Sequence, residues 1–156
     1  MLISKYETII DSKHEIYLKE SGSFKVDGRK LYNNPIDLAD FFGDTIGIRN
    51  AADEHVYIAC LDTKCHIIGC FEASHGSCNT SMFPVREIFQ KALLIGAVSI
   101  VICHNHPSGD YTPSSADISA TNRVKQAGEI LGINVLDHII VAANNYSYYS
   151  FAEHQI

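Results

Sequence analysis

The sequence predicts an α/β fold in three layers, α-β-α, with a mixed sheet between helices. A near-continuous apolar run, 97–103, reads as a strand covered on both faces, and 135–141 reads as another buried strand. Apolar residues recur at helical spacing over 85–94 and again over 116–131, so helices alternate with these strands. The length of 156 residues, with 46% apolar and 19% charged side chains, fits one globular domain. A chain of this size buries roughly two thirds of its unfolded surface, which excludes global disorder.

Taken in order, Tyr6 to Ile10 and Glu15 to Lys19 carry enough β-branched and aromatic residues for two short strands. Residues 1–33 are therefore read as an N-terminal strand-hairpin extension, and 34–156 as the main domain. Asn34-Pro35 supplies an N-cap followed by proline at the first helical position. Ile36, Leu38, Ala39, Phe41, Phe42 and Ile46 form an apolar stripe that Gly47 ends. His55 to Leu61, a turn at Asp62-Thr63-Lys64, and His66 to Phe71 read as a hairpin, with a loop marked by Gly76 and Asn79 after it. A helix from Val85 runs to Gly96, and the apolar strand that follows ends in His104-Asn105-His106 before a Pro-Ser-Gly turn. Thr112-Pro113 opens the next helix and Gly132 closes it. After the strand 135–141 come an Asn144-Asn145 turn and a tyrosine-rich edge strand. Repeats, low-complexity tracts and domain-separating linkers are absent from the sequence.

No apolar run reaches the roughly 18 residues of a membrane helix. The opening Met-Leu-Ile-Ser-Lys-Tyr-Glu lacks the layout of a signal peptide, so a cytoplasmic protein without membrane partners is expected. Five cysteines, an odd number without tight pair spacing, agree with a reducing compartment. Twelve basic against eighteen acidic residues give a net charge of −6, which argues against nucleic acid as a partner. The sequence fixes no oligomeric state.

Eight histidines in so short a chain raise the question of whether any are organised. His104 and His106 are at i and i+2 of a strand, so their imidazoles share a face. Ser114 and Asp117 are three apart in the first turn of the following helix, and the short connection 107–112 can fold that turn over the strand end. A His, His, Asp ligand set leaves a fourth position open, as catalytic zinc sites do. Such an ion brings the pKa of bound water toward about 7. One Zn²⁺ per chain is expected, since zinc suits nitrogen ligands better than magnesium or calcium do, while the donor set does not strongly exclude iron, manganese or nickel. Glu54, just before a core strand, is the candidate general base, with Glu72 the fallback; Glu54 also reads as a solvated acid. Ser114 fits as a donor to an oxyanion, or simply as a polar first-turn residue. With 8 His, 14 Ser and 10 Asp, a chance match to His-x-His-x7-Ser-x-x-Asp is on the order of 10⁻³.

His104-Asn-His-Pro-Ser-Gly-Asp-Tyr-Thr-Pro-Ser-Ser-Ala-Asp117 resembles the JAMM (MPN-plus) metallopeptidase signature, in the form carried by RadC-like JAB-domain proteins. Glu54-His55, Leu61-Asp62-Thr63-Lys64, Arg86-Glu87-Ile88-Phe89 and Leu136-Asp137-His138-Ile139-Ile140-Val141 sit in that family's order, so the likeness spans roughly 35–153. The resemblance implies a deaminase-like three-layer domain. It matches His104, His106 and Asp117 to the zinc ligands, Ser114 to the motif serine and Glu54 to the catalytic glutamate. It further implies a zinc metallopeptidase or isopeptidase acting on a peptide or protein substrate. Two departures stand out. Phe83-Pro84-Val85-Arg86-Glu87 replaces the family's common His-Pro-Arg-Glu, and the first fifty residues do not read as the helix-hairpin-helix region of full-length RadC proteins. That difference and the charge weaken a DNA-repair role. A metal-stabilised interaction module without turnover, docking on a repair or mobile-element assembly, is the alternative function.

His138, after Asp137 at a strand start, reads either as a hydrogen-bonded structural pair or as a partner orienting a ligand. His14, His55, His66, His75 and His154 lack ligand spacing with one another. Cys60, Cys65 and Cys70 read as strand residues in the core, and Cys103 should face away from the metal.

Overall fold

The computed structural model describes residues 1–26, 31–76, 83–143 and 146–156. Seven strands form one mixed sheet in the order β2-β1-β4-β3-β5-β6-β7. They are β1 (Leu2–Ile10), β2 (Ile16–Lys25), β3 (His55–Leu61), β4 (Ile67–His75), β5 (Ser99–His106), β6 (Asn134–Ala142) and β7 (Tyr148–Ser150). The β1–β4 and β5–β6 pairs are parallel and the other neighbours antiparallel. The helices are α1 (Pro35–Asp40), α2 (Val85–Ile95) and α3 (Ser115–Leu131).

The strand period of two divides the core into two layers. Tyr57, Ala59, Leu61, Val101, Cys103, Ile139 and Val141 meet Leu38, Ala39, Phe41, Phe42 and Ile48 on one face. Val56, Ile58, Cys60, Ile100 and Ile102 meet Ile88, Phe89, Ala92 and Val124 of α2 and α3 on the other. This is the expected α/β sandwich of a mixed sheet between helical layers. No helix among the described residues is long and apolar enough to cross a membrane.

Several elements differ from expectation in detail. The N-terminal strands run longer than the sequence suggests, and β1 continues the sheet through a parallel contact of Lys5 with Cys70. The stripe from residue 36 is an α-helix only to Asp40 and then π-helical from Phe41 to Ile46, ended by Gly47 at φ 92°. Ile36 stays 58% exposed. Asn34 caps α1 as expected, its side chain accepting from the Asp37 N–H at 2.9 Å. Cys65 lies in the turn rather than on a strand, at φ 60°, because Asp62 Oδ1 accepts from the backbone N–H groups of Lys64 and His66 and tightens the reversal. Cys60 and Cys70 pack in opposite core layers, so they share no site. Burial pushes both thiols up to about 12. Asn79 and Asn144-Asn145 lie outside the described residues.

The largest correction concerns α3. Its N-cap is Ser114, two residues beyond the expected Thr112, and Pro113 precedes the helix instead of opening it. The reason is a capping box: Ser114 Oγ accepts from the Asp117 N–H at 3.1 Å, and Asp117 Oδ2 accepts from the Ser114 N–H at 2.7 Å. Thr112 has no acidic residue three positions on to answer it.

Candidate metal centre

β5 carries its last residues past the edge of the core, and their alternation decides what faces where. His104 lies on the α2/α3 side, while Cys103 packs in the opposite layer, away from it. His104 Nε2 and His106 Nε2 approach to 2.9 Å. The α3 capping box sets Asp117 against them, Oδ1 at 3.4 Å from His104 Nε2 and Oδ2 at 3.6 Å from His106 Nε2. Glu54 Oε1 lies 3.9 Å from His104 Nε2. The structure therefore brings together His104, His106, Asp117 and Glu54. Ser114 adjoins them, donating its hydroxyl proton to Asp117 Oδ2 at 2.6 Å.

These spacings suit a small tetrahedral cation. Bonds of about 2.0–2.1 Å imply ligand-to-ligand edges of about 3.3 Å. The His104–His106 and His104–Asp117 Oδ1 spacings of 2.9 and 3.4 Å bracket that value, the 3.6 Å contact of His106 running to the other Asp117 oxygen. Glu54, His104 and His106 form a group able to hold a metal ion, with donor atoms all within 4.8 Å of one another. Two imidazoles and one carboxylate are also a zinc-compatible donor set.

Glu54 is held in place by a residue the sequence reading passed over. Asn105, completely buried on the face opposite His104, accepts the His55 N–H at 2.8 Å and donates to the Asp53 carbonyl at 3.0 Å. It thereby clips the segment before β3 to β5. Alternation in His-Asn-His was the available signal, since the middle residue must face the other layer.

Burial pushes the Glu54 carboxyl up, and the Asp117 charge adds to this while His106 opposes it. Burial would raise Asp117 too, but His106, His104 and Ser114 outweigh it and hold the carboxyl well below the usual range. Burial drives His104 down to about 3. For His106 burial is overcome by Asp117 and the Asp110 carbonyl, and its pKa is raised.

Glu72 is occupied elsewhere, by Lys5 Nζ at 3.3 Å, His55 Nδ1 at 2.8 Å and the Tyr57 hydroxyl at 3.2 Å. With His55 and His75 it forms a second group able to hold a metal, one that residue spacing did not reveal because the two histidines are cross-strand partners. Their rings stack at 4.1 Å and 15°, so their in-plane lone pairs run side by side instead of converging.

The model of the RadC-like JAB domain matches residues 32–156. The chain belongs to this family. A UPF0758 protein of Clostridium novyi (strain NT) is 53% identical over 94 residues, 60% of this chain and 41% of that protein. One from Desulfitobacterium hafniense (strain DSM 10664 / DCB-2) is 42% identical over 118 residues, 76% of this chain and 51% of its own length. A third, from Clostridium tetani (strain Massachusetts / E88), is 40% identical over 128 residues, 82% and 55% respectively. The chain thus spans about half the length of the curated relatives it matches. Its match to the JAB-domain model contains all four converging side chains.

Proposed function

We propose that this JAB domain is a zinc-dependent hydrolase of amide bonds, a peptidase or isopeptidase acting on a peptide or protein substrate. The observation that carries the reading is the convergence of two imidazole Nε2 atoms and the Asp117 carboxylate within 2.9–3.6 Å, with a second carboxylate, Glu54, beside them. The JAB-domain family includes hydrolases.

His104, His106 and Asp117 would hold one zinc ion per chain. When bound, zinc supplies a Lewis acid that acidifies water and polarises the scissile carbonyl. Glu54 takes the proton of the attacking water and returns it to the leaving amine. Its raised pKa serves that exchange, because a base closer to neutrality gives the proton back more readily. Ser114 supplies a hydroxyl to the developing oxyanion, exchanging its present bond to Asp117 for one to substrate. The four described cysteines are free thiols, which supports a reducing, cytoplasmic setting. A net charge of −6 supports a protein substrate over nucleic acid.

The test is metal content followed by turnover. Purified protein should carry about one zinc per chain by elemental analysis, and His104→Ala or Asp117→Ala should lose it. Full metal occupancy in both variants would overturn the ligand assignment. Glu54→Gln should keep zinc and lose cleavage in an unbiased proteomic screen. An active Glu54→Gln protein would move the base elsewhere.

A further inference from the structure

We propose that His138 and Thr121 form a proton-ordered relay that fixes the tautomer of His104 and leaves its Nε2 bare toward the metal position. The consequence for metal binding rests on the zinc reading above; the relay itself rests on hydrogen-bond geometry and burial.

The direction follows from counting protons. Thr121 Oγ1 lies 2.6 Å from the Asp117 carbonyl, which can only accept, so the single hydroxyl proton is committed there. The 2.7 Å contact between Thr121 Oγ1 and His138 Nδ1 must then be a donation from His138 Nδ1–H. A neutral imidazole has one N–H, so His138 Nε2 accepts. Its 2.7 Å partner, His104 Nδ1, therefore carries the other proton. That leaves His104 Nε2 as a lone pair. Both rings are completely buried, where an ionised imidazole is strongly disfavoured, so each counts as neutral.

Two further observations agree. His106 Nδ1 donates to the Asp110 carbonyl at 2.6 Å, so the neutral form of His106 also has a bare Nε2. Two lone pairs 2.9 Å apart repel unless a cation or a proton lies between them. The His138 ring is meanwhile clamped by Phe151, stacked at 4.6 Å and 10°, and by the edge-on Phe83 at 4.9 Å. Asp137 secures that clamp by accepting the Ser150 hydroxyl at 2.6 Å and the Ala152 N–H at 2.9 Å on either side of Phe151. The relay begins at the Asp117 carbonyl and ends opposite the Asp117 carboxylate, joining both ends of the ligand set to one residue of α3. His138 and Thr121 are thus positioning residues acting through His104.

The experiment uses the whole chain labelled with ¹⁵N-histidine, stripped of metal by a chelator at neutral pH. Long-range ¹H–¹⁵N correlation should show both His104 and His138 as Nδ1–H tautomers; an Nε2–H form at either would overturn the relay. Thr121→Val should move the protons of both rings to Nε2, and Thr121→Ser should keep the wild-type pattern. Unmoved tautomers in Thr121→Val would likewise overturn it. In competition with a chromophoric chelator, Thr121→Val should weaken Zn²⁺ binding about 10–100-fold, the usual effect of losing a group behind a metal ligand. Thr121→Ser should restore wild-type affinity, and equal weakening in both variants would refute the proton-ordering role. If the wild-type chain takes up no zinc, the proposed function fails while the tautomer measurement still judges the relay.

Discussion

At the scale of single residues, the buried histidines tie the site to pH. His104 has a folded-state value of about 3 against an ordinary 6.5, and His138 is shifted the same way. Below pH 6.5 the unfolded chain takes up protons that these buried rings refuse, so stability falls with pH. The stabilising contribution is complete above about pH 6.5 and is lost progressively toward pH 3 for His104. Urea midpoints of metal-free protein should decline across that window, and a midpoint level from pH 7 to pH 4 would contradict the buried neutral state. Asn105 offers a second residue-scale prediction. Replacing it with alanine orphans the His55 N–H, at a cost of about 1–3 kcal/mol. Because the clip acts on the Glu54 segment and not on the proposed ligands His104, His106 and Asp117, Asn105→Ala should retain zinc in elemental analysis while its urea midpoint drops.

At the scale of elements, the site depends on how α3 begins and where it ends. Ser114→Ala removes one half of the capping box, so a loss of about 1 kcal/mol in denaturant melts is expected. At the other end Gly128 sits in the helix interior, where alanine would ordinarily gain about 1 kcal/mol. A Cβ there would lie 2.5 Å from the Ile133 carbonyl oxygen and 3.1 Å from Val135 Cγ2. Neither backbone oxygen nor strand can retreat cheaply, so the clash wins: Gly128→Ala should destabilise the fold by about 1–3 kcal/mol in the same melts. The convergence of His104, His106 and Asp117 was legible in the sequence because their geometry is local. His104 and His106 need only strand alternation, and Asp117 needs only a helix start close behind it. The cap itself was misplaced by two residues, since threonine and serine are both accepted cap types and it is the reciprocal bond with Asp117 that selects Ser114. The sequence left His138 between a structural pair and a partner orienting a ligand and gave no role to Asn105, because their partners lie 34 and 50 residues away. The His104–His138 contact depends on the β5–β6 register, which carries an irregularity between Ile100 and Val101 that no periodicity announces.

At the scale of the whole molecule, the centre exists only when distant parts of the chain are assembled. Glu54 precedes β3, the two histidines end β5, Asp117 opens α3 and His138 lies on β6. The unfolded chain does not hold these groups, which span residues 54 to 138, in one place, so a cation bound at the centre favours the folded state. Linkage sets the size of the effect: free zinc at 100 times its dissociation constant stabilises by about 2.7 kcal/mol. For a domain of this length each kcal/mol moves the melting temperature by roughly 2–4 °C, so the expected difference between zinc-loaded and chelator-treated protein is about 5–10 °C. His104→Ala should melt at one temperature with or without zinc, because it removes the side chain that approaches all three of the others. Calorimetry on both proteins, each with zinc and with chelator, separates the two contributions. A zinc-dependent shift that survives in His104→Ala would place the stabilising ion elsewhere, with His55, Glu72 and His75 the group to examine next.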